Sequence, residues 1–253
     1  AMRAAAAASV GFVVLDRPNL LRLDLIAGPI LDKPFTSLAE YHQVPMIHGL
    51  TAGELARLSR GEYGLDVDLT VVPCEGYGRD LWFDQTELPW VNPSPNLRTM
   101  KAAVLYPAIG MLERCNLSVG RGTEAPFEYL GAPWMDGALV ARRLNELNLP
   151  GLSFLPVEFT PIAREFAGEH CGGCYVDLVD REAFDPLRAG LHIARTLRSL
   201  YGKGFTVEAI GGLLGSREAA ARLSELADVE ELCAAWEPDL VQYREARRPY
   251  LLY

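Results

Sequence analysis

The sequence predicts an α/β protein in two parts, a doubly wound parallel-sheet domain entered partway through its sheet and then a smaller unit, also of α/β character. Three observations carry this expectation. VGFVVLD at residues 10–16 is a continuous apolar run, the pattern of a strand buried on both faces of a parallel sheet. LDVDLTVVP at 65–73 alternates as a second strand does. Farther on, the strand-like LSFLPVEFTP and CYVDLVD precede a long amphipathic segment, PLRAGLHIARTLRSLYG, with Leu187, Leu191, Ala194, Leu197 and Tyr201 on one helical face. The division is expected near residue 155, with 1–155 holding the first domain and its polar loops and 156–253 the second.

In chain order, AMRAAAAAS is a short helix former, and Ala1 ahead of Met2 has the look of a tag remnant. It is too short for a signal peptide, and no run of about 18 apolar residues marks a membrane span. A helix leading into one buried parallel strand is the end of an α/β unit. The earlier strands are therefore expected to be missing or supplied from elsewhere, leaving a sheet edge that could drive a homodimer. Asp16, Arg17, Pro18 and Asn19 follow at the carboxyl end of the strand, where open α/β sheets bind ligands; an ordinary polar loop is the alternative.

A loop rich in Gly and Pro then leads to HGLTAGELARLSRG at 48–61. Thr51 and Glu54 stand at capping-box spacing and Gly61 is expected to end the helix, which makes Glu54 structural and His48 the more interesting group. LWFDQTELPWVNPSPN at 81–96 carries three prolines and two tryptophans, so it reads as a long ordered loop, a kind of segment that tends to be functional. Asn96 is expected to cap the helix LRTMKAAVLY, which Pro107 interrupts or ends. Near the end of the chain Asp228 and Glu231 repeat the capping spacing, Leu232, Trp236, Leu240 and Tyr243 form a stripe, and Pro238 predicts a kink.

A net charge of −9 and a pI near 5.0 argue against a nucleic-acid partner, because phosphate recognition needs a basic field. The five cysteines form no framework. Cys171 and Cys174 make a CxxC beside His170, but no second ligand pair stands at zinc spacing, so they read as small buried thiols flanking a tight glycine turn. Neither GxxxxGK[ST] nor a GxGxxG after the first strand occurs, which removes the usual nucleotide fingerprints. No cofactor is implied.

NLSVGRGTEAPFEYLGAPW at 116–134 forms neither a good helix nor a good strand. Its glycines allow close backbone approach while Asn116, Ser118, Arg121 and Thr123 offer directional polar groups, a mixture suited to a hydroxyl-rich or carboxylated small molecule. Trp82, Trp90, Phe127, Tyr129 and Trp134 lie in the same loops. Sugars pack their C–H faces on aromatic rings and need polar partners at the rim, so a glycan is suggested; a loop-rich core would use the same aromatics.

VVLDRPN, GPILD, HGLTAGELA, LPWVNPSPN, LERCNLSVGRGTEAPFEYLGAPW and RRPYLLY together resemble the bacterial exo-β-N-acetylmuramidase family over nearly the whole chain. The resemblance implies a Rossmann-like N-terminal domain, a smaller C-terminal α/β domain and an active site between them. It also implies hydrolytic release of N-acetylmuramic acid from the non-reducing end of peptidoglycan fragments. Family members are usually longer, and an acid in an absent segment would leave a non-catalytic or partner-dependent sugar-binding unit. PNLLRLD, and Arg114 with Cys115 in LERCN, depart from the family pattern. The compartment stays open, with the secreted or periplasmic side slightly favoured.

Glycoside hydrolysis needs a proton donor and a second group that acts as base or nucleophile, a role the 2-acetamido oxygen of the sugar can itself fill. Among the acids present, Glu113 beside the polar loop and Asp16 at the strand end are the catalytic candidates, since partial burial would raise a carboxyl pKa toward working pH. Arg121 and Arg17 are the candidates for the lactyl carboxylate; a structural pair of Arg121 with Glu113 or Glu124 is the alternative. Asn19, His48, Trp90, Ser94, Asn96, Asn116, Ser118, Thr123 and Trp134 complete the expected substrate-binding set.

Overall fold

The computed structural model describes residues 1–32 and 43–253. Helix α1 (Met2–Ala7) leads into strand β1 (Phe12–Leu15). The loop read as rich in Gly and Pro contains an antiparallel pair, β2 (Ala27–Ile30) and β3 (Pro45–Ile47), while its residues 33–42 lie outside the described ones. Next come α2 (Ala52–Glu62) and β4 (Leu69–Val72), which pairs in parallel with β1, Phe12 opposite Leu69 and Leu15 opposite Val72.

Expectation and structure part at β1. Val13 is 61% exposed and Leu15 75%, so the strand is covered on one face only. Among the described residues its sheet has two strands, and α2 lies over the face that carries Phe12 and Val14. Continuous hydrophobicity marked a parallel strand correctly but overstated its burial.

The long loop at 81–96 has no regular element beyond a 3-10 turn, Phe83–Gln85. Helix α3 (Met100–Gly110) follows, capped by Thr99, whose Oγ1 accepts from the Ala102 N–H at 3.0 Å. Asn96 is therefore not the cap, and Pro107 sits inside the helix without ending it. The helix is apolar nearly all round and central to the main core. Against it packs α5 (Pro186–Tyr201), and the same core takes in β5 (Tyr129–Ala132), α4 (Gly137–Glu146), β6 (Leu152–Phe159) and β7 (Cys171–Leu178), with α4 lying on β6 and β7; α6 (Gly211–Leu214), α7 (Arg217–Ser224) and α8 (Val229–Arg247) follow. The three strands form an antiparallel sheet in the order β5-β7-β6. Residue 155, the expected boundary, falls inside β6.

The expected face of α5 is buried at Leu187, Leu191, Ala194 and Leu197. Cys171 and Cys174 are free and buried, but they lie within β7 and flank no turn. Successive strand residues point to opposite faces, so their thiols diverge. The glycines between them admit neighbouring backbone: a Cβ on Gly173 would collide with the Leu130 carbonyl, and one on Gly172 with that of Met135. Burial pushes the Cys115 and Cys174 thiols up to about 12, which keeps them unreactive.

A second, smaller core joins Leu50, Leu58 and Tyr243 with Tyr250 and Leu251 of the C-terminal tail. That tail crosses back over the first sheet, where the Tyr253 hydroxyl donates to Asp16 Oδ2 at 2.8 Å and accepts from the Cys74 N–H at 2.8 Å. Burial, and with it the Asp16 carboxylate, raises the Tyr253 phenol above its ordinary value. Tyr253→Phe removes the bond to a charged acceptor and the one accepted from the Cys74 N–H, and is expected to lower stability by about 2 kcal/mol, read from urea unfolding.

Candidate functional site

A cavity of about 390 Å³ opens between the β2–β3 region and α3. From the first half of the chain it takes Asn19, Leu20, Leu21, Arg22, Met46, Ile47, His48 and Gly49; Leu97, Ala103, Tyr106, Pro107, Gly110, Met111 and Leu213 close it from the other side. The α3 residues recur at helical spacing, so one face of that otherwise buried helix is the wall of the cavity.

The loop at His48 is held from behind. Arg247 Nη1 donates to the Gly49 and His48 carbonyls at 2.6 and 3.2 Å, Arg79 Nη2 donates to Gly49 O at 2.5 Å, and the Tyr243 hydroxyl donates to His48 O at 2.8 Å. Gly49 has φ +58°, and a Cβ there would meet the Leu23 carbonyl, so the position favours glycine. His48 Nδ1 accepts from the Leu50 N–H at 3.1 Å; in the neutral ring the proton then sits on Nε2. Asn19 bridges Leu50 O through Nδ2 at 3.0 Å and accepts from the Leu21 N–H at 3.2 Å. Of the residues expected at a ligand site, Asn19 and His48 are the two that line this cavity.

Glu113 and Arg121 form an ion pair with each other. They adjoin the cavity rather than line it: the Glu113 N–H donates to the carbonyl of Gly110, a lining residue, at 3.1 Å, and Tyr106 is close enough to Arg121 to act on its charge. Burial, then the neighbouring Arg164 cation, lower the Arg121 pKa below its ordinary value. The pair with Arg121 holds the Glu113 carboxylate beside the cavity, where it can accept a hydrogen bond and orient a group.

Asp16 stands apart. Its Oδ2 accepts from Thr51 Oγ1 at 2.6 Å and Tyr253 Oη at 2.8 Å, and its Oδ1 from the Gly53 N–H at 2.8 Å. The carboxylate thus sits on the N-terminus of α2, a position that the exposed amides of a helix start favour electrostatically. Arg17 next to it is exposed.

Most of the polar loop is bonded to the protein itself. Asn116 brackets the 204–206 loop, accepting from the Thr206 N–H at 2.9 Å and donating to Gly204 O at 2.8 Å. Ser118 is buried and accepts from the Gly120 N–H at 3.3 Å; Thr123 donates to Gly120 O at 2.6 Å. Trp134 packs edge-on to Tyr201 at 4.9 Å and Trp90 to Phe83 at 5.6 Å. Ser94 and Asn96 bond within their own turn, 3.4 Å apart. None of these residues lines the cavity.

Sequence reasoning missed a polar network on the outer face of the β5-β7-β6 sheet. Lys101 donates to Tyr175 Oη at 2.6 Å and Asp177 Oδ1 at 2.8 Å and lies 3.6 Å from Glu128, which also accepts from Thr99 and Tyr175 at 3.3 Å each. It also missed Tyr106, whose one signal was helical spacing with Gly110. Among the described residues no cluster of three or more His, Cys, Asp or Glu could hold a metal, and no helix is long and apolar enough to cross a membrane.

Comparison with known proteins gives consistent matches. The family model described as exo-beta-N-acetylmuramidase NamZ, N-terminal, matches residues 1–101, and its C-terminal counterpart matches 104–253. The chain is 38% identical over 256 residues to the peptidoglycan beta-N-acetylmuramidase NamZ of Bacillus subtilis, covering 100% of the chain and 62% of that protein. It thus spans under two thirds of the length of this curated relative. Two crystal structures of DUF1343 family proteins from Bacteroides fragilis superpose on the whole chain. One has a TM-score of 0.91 at 30% identity over 68% of its length, the other 0.80 at 28% over 69%.

Proposed function

Because the chain belongs to the exo-β-N-acetylmuramidase family, a family of peptidoglycan glycosidases, we propose that it releases N-acetylmuramic acid from the non-reducing end of peptidoglycan fragments, with the cavity at α3 as the subsite for that sugar. One observation carries this reading. The two domain matches meet between residues 101 and 104 on α3, and that helix supplies Ala103, Tyr106, Pro107 and Gly110 to the cavity wall. The cavity is also of a size and kind suited to a pyranose. Apolar Leu21, Met46, Leu97 and Met111 offer surface for C–H faces, and Asn19, His48 and Tyr106 offer polar contacts.

In this reading Glu113, paired with Arg121, orients the 2-acetamido group or serves as base, and a second group supplies the proton. A second reading has its own support: among the described residues no Asp or Glu lines the cavity, and Asp16 is already taken by three donors. Those facts favour a unit that recognises the sugar without cleaving it.

Incubation with N-acetylmuramic acid linked β-1,4 to N-acetylglucosamine, followed by mass spectrometry, decides between them. Release of both sugars, reduced at least about tenfold in Glu113→Gln, is the expected result for the hydrolase. Calorimetric binding without release would establish the recognition unit. Neither binding nor release would overturn both readings.

A further inference from the structure

Among the described residues lining the cavity, Tyr106 alone carries a phenyl-type ring. Trp90 and Trp134, the aromatic residues expected to meet a sugar, pack on Phe83 and Tyr201 instead. Tyr106 is 39% exposed on a helix whose neighbouring Leu105, Ala108 and Ile109 are fully buried. Its hydroxyl makes no hydrogen bond to a described residue.

Two features fix where this ring stands. Phe127 meets it in a T, with the ring centroids 4.8 Å apart and the planes at 86°. Phe127 is itself buried and holds φ +65°, uncommon for a bulky residue, with its N–H donating to the Val119 carbonyl at 2.8 Å. The glycine-rich loop, closed on itself by that bond, thus presents Phe127 to Tyr106. Gly110, one helical turn on, leaves room for the ring from the other side. A Cβ there would lie 2.8 Å from Tyr106 Cε2, 2.9 Å from Cδ2 and 3.2 Å from Cζ, and these are its three nearest neighbours. A side chain at 110 would therefore push first on the Tyr106 ring.

We infer that the sugar ring stacks on Tyr106, and that Gly110 is a positioning residue that keeps the Tyr106 ring seated against Phe127 at the cavity wall. This rests on the reading of the cavity as a sugar subsite. A pyranose offers C–H faces to an aromatic ring, and Tyr supplies a large, stiff contact surface with a polar tip. A ring already held on two sides loses little freedom when a ligand arrives, so less of the interaction energy goes into ordering it. Stacking uses C–H groups that N-acetylmuramic acid and N-acetylglucosamine share. Tyr106 therefore contributes affinity for both sugars and not the preference between them.

The test is calorimetric binding of both sugars, with urea unfolding alongside, to the full chain and to its Tyr106→Phe, Tyr106→Leu, Gly110→Ala and Tyr106→Leu/Gly110→Ala variants. Tyr106→Phe is expected to stay within about threefold of the unchanged chain, and Tyr106→Leu to weaken both sugars roughly tenfold. Gly110→Ala is expected to weaken both roughly fivefold with the urea midpoint unchanged or raised, because alanine favours a helix over glycine. It should add no further loss to Tyr106→Leu, since its effect passes through that ring. A loss from Gly110→Ala that is as large in the Tyr106→Leu background would overturn the positioning role. Sugar binding indifferent to Tyr106→Leu would overturn the stacking while the sugar subsite stands. Binding that depends on Tyr106, in a chain that releases nothing from the disaccharide, would uphold the inference and sink the hydrolase. No binding of either sugar by the unchanged chain would overturn both.

Discussion

Glu54→Ala is expected to cost about 3–5 kcal/mol of stability, the range for removing one partner of a buried ion pair. Glu54 is fully buried, and each group around it depends on it. Its Oε2 accepts from the Thr51 N–H at 3.1 Å, and its Oε1 accepts from Arg79 Nη1 at 2.7 Å and the Leu252 N–H at 2.9 Å. Truncation would break the capping box of α2, release the C-terminal tail and strand the Arg79 cation among carbonyls. The Arg79 side chain keeps 20% exposure, so water reaches part of it and the lower end of the range is the better guide. Glu54→Gln keeps the shape and an acceptor but loses the charge, and should cost roughly half as much. Urea unfolding of the two variants checks the order. A loss below about 1 kcal/mol in Glu54→Ala would mean that Arg79 finds other partners.

The structural role of Glu54 was legible because a capping box is local: two residues three apart, ahead of an apolar helix, fix each other. The same locality made the buried face of α5 and the strands β6 and β7 readable from periodicity alone. Asp16 shows where this stops. Its sequence context marked the carboxyl end of a parallel strand correctly, yet its donors come from residues 51, 53 and 253, and no window of sequence contains all of them.

The glycine-rich segment at 116–134 misled for a related reason. Directional groups in a loop look available to a ligand, but a loop packed into the protein must first satisfy its own backbone. Asn116, Ser118 and Thr123 do that here, and Arg121 alone of the four keeps a buried donor free. The cavity wall was hidden for the opposite reason: Ala103, Tyr106 and Gly110 read as interior residues of an apolar helix. β1 was read as buried on both faces, and the face with Val13 and Leu15 is exposed, because composition cannot say how many layers cover a strand.

Arg247→Met is the variant that separates fold from site. Arg247 is 7% exposed and comes from the last turn of α8, yet it reaches the carbonyls of His48 and Gly49, nearly two hundred residues earlier. Burial, then repulsion from Arg79, lower its pKa below the ordinary value, so the cation is held at a cost. Met keeps much of the volume and removes that cost, but it leaves two carbonyls short of a charged donor, and the net loss should be about 3 kcal/mol. The Tyr243 hydroxyl still holds His48 O and Arg79 still holds Gly49 O, so the chain should fold with a loosened rather than a lost His48 turn. N-acetylglucosamine affinity is then expected to fall roughly tenfold, because a ring that must be re-ordered on binding spends part of the interaction energy. Arg247→Lys should not restore it, since a single ammonium cannot reproduce the guanidinium fork. Unchanged sugar affinity beside the expected loss of stability would place the sugar away from His48 and move the subsite along α3 toward Glu113 and Arg121.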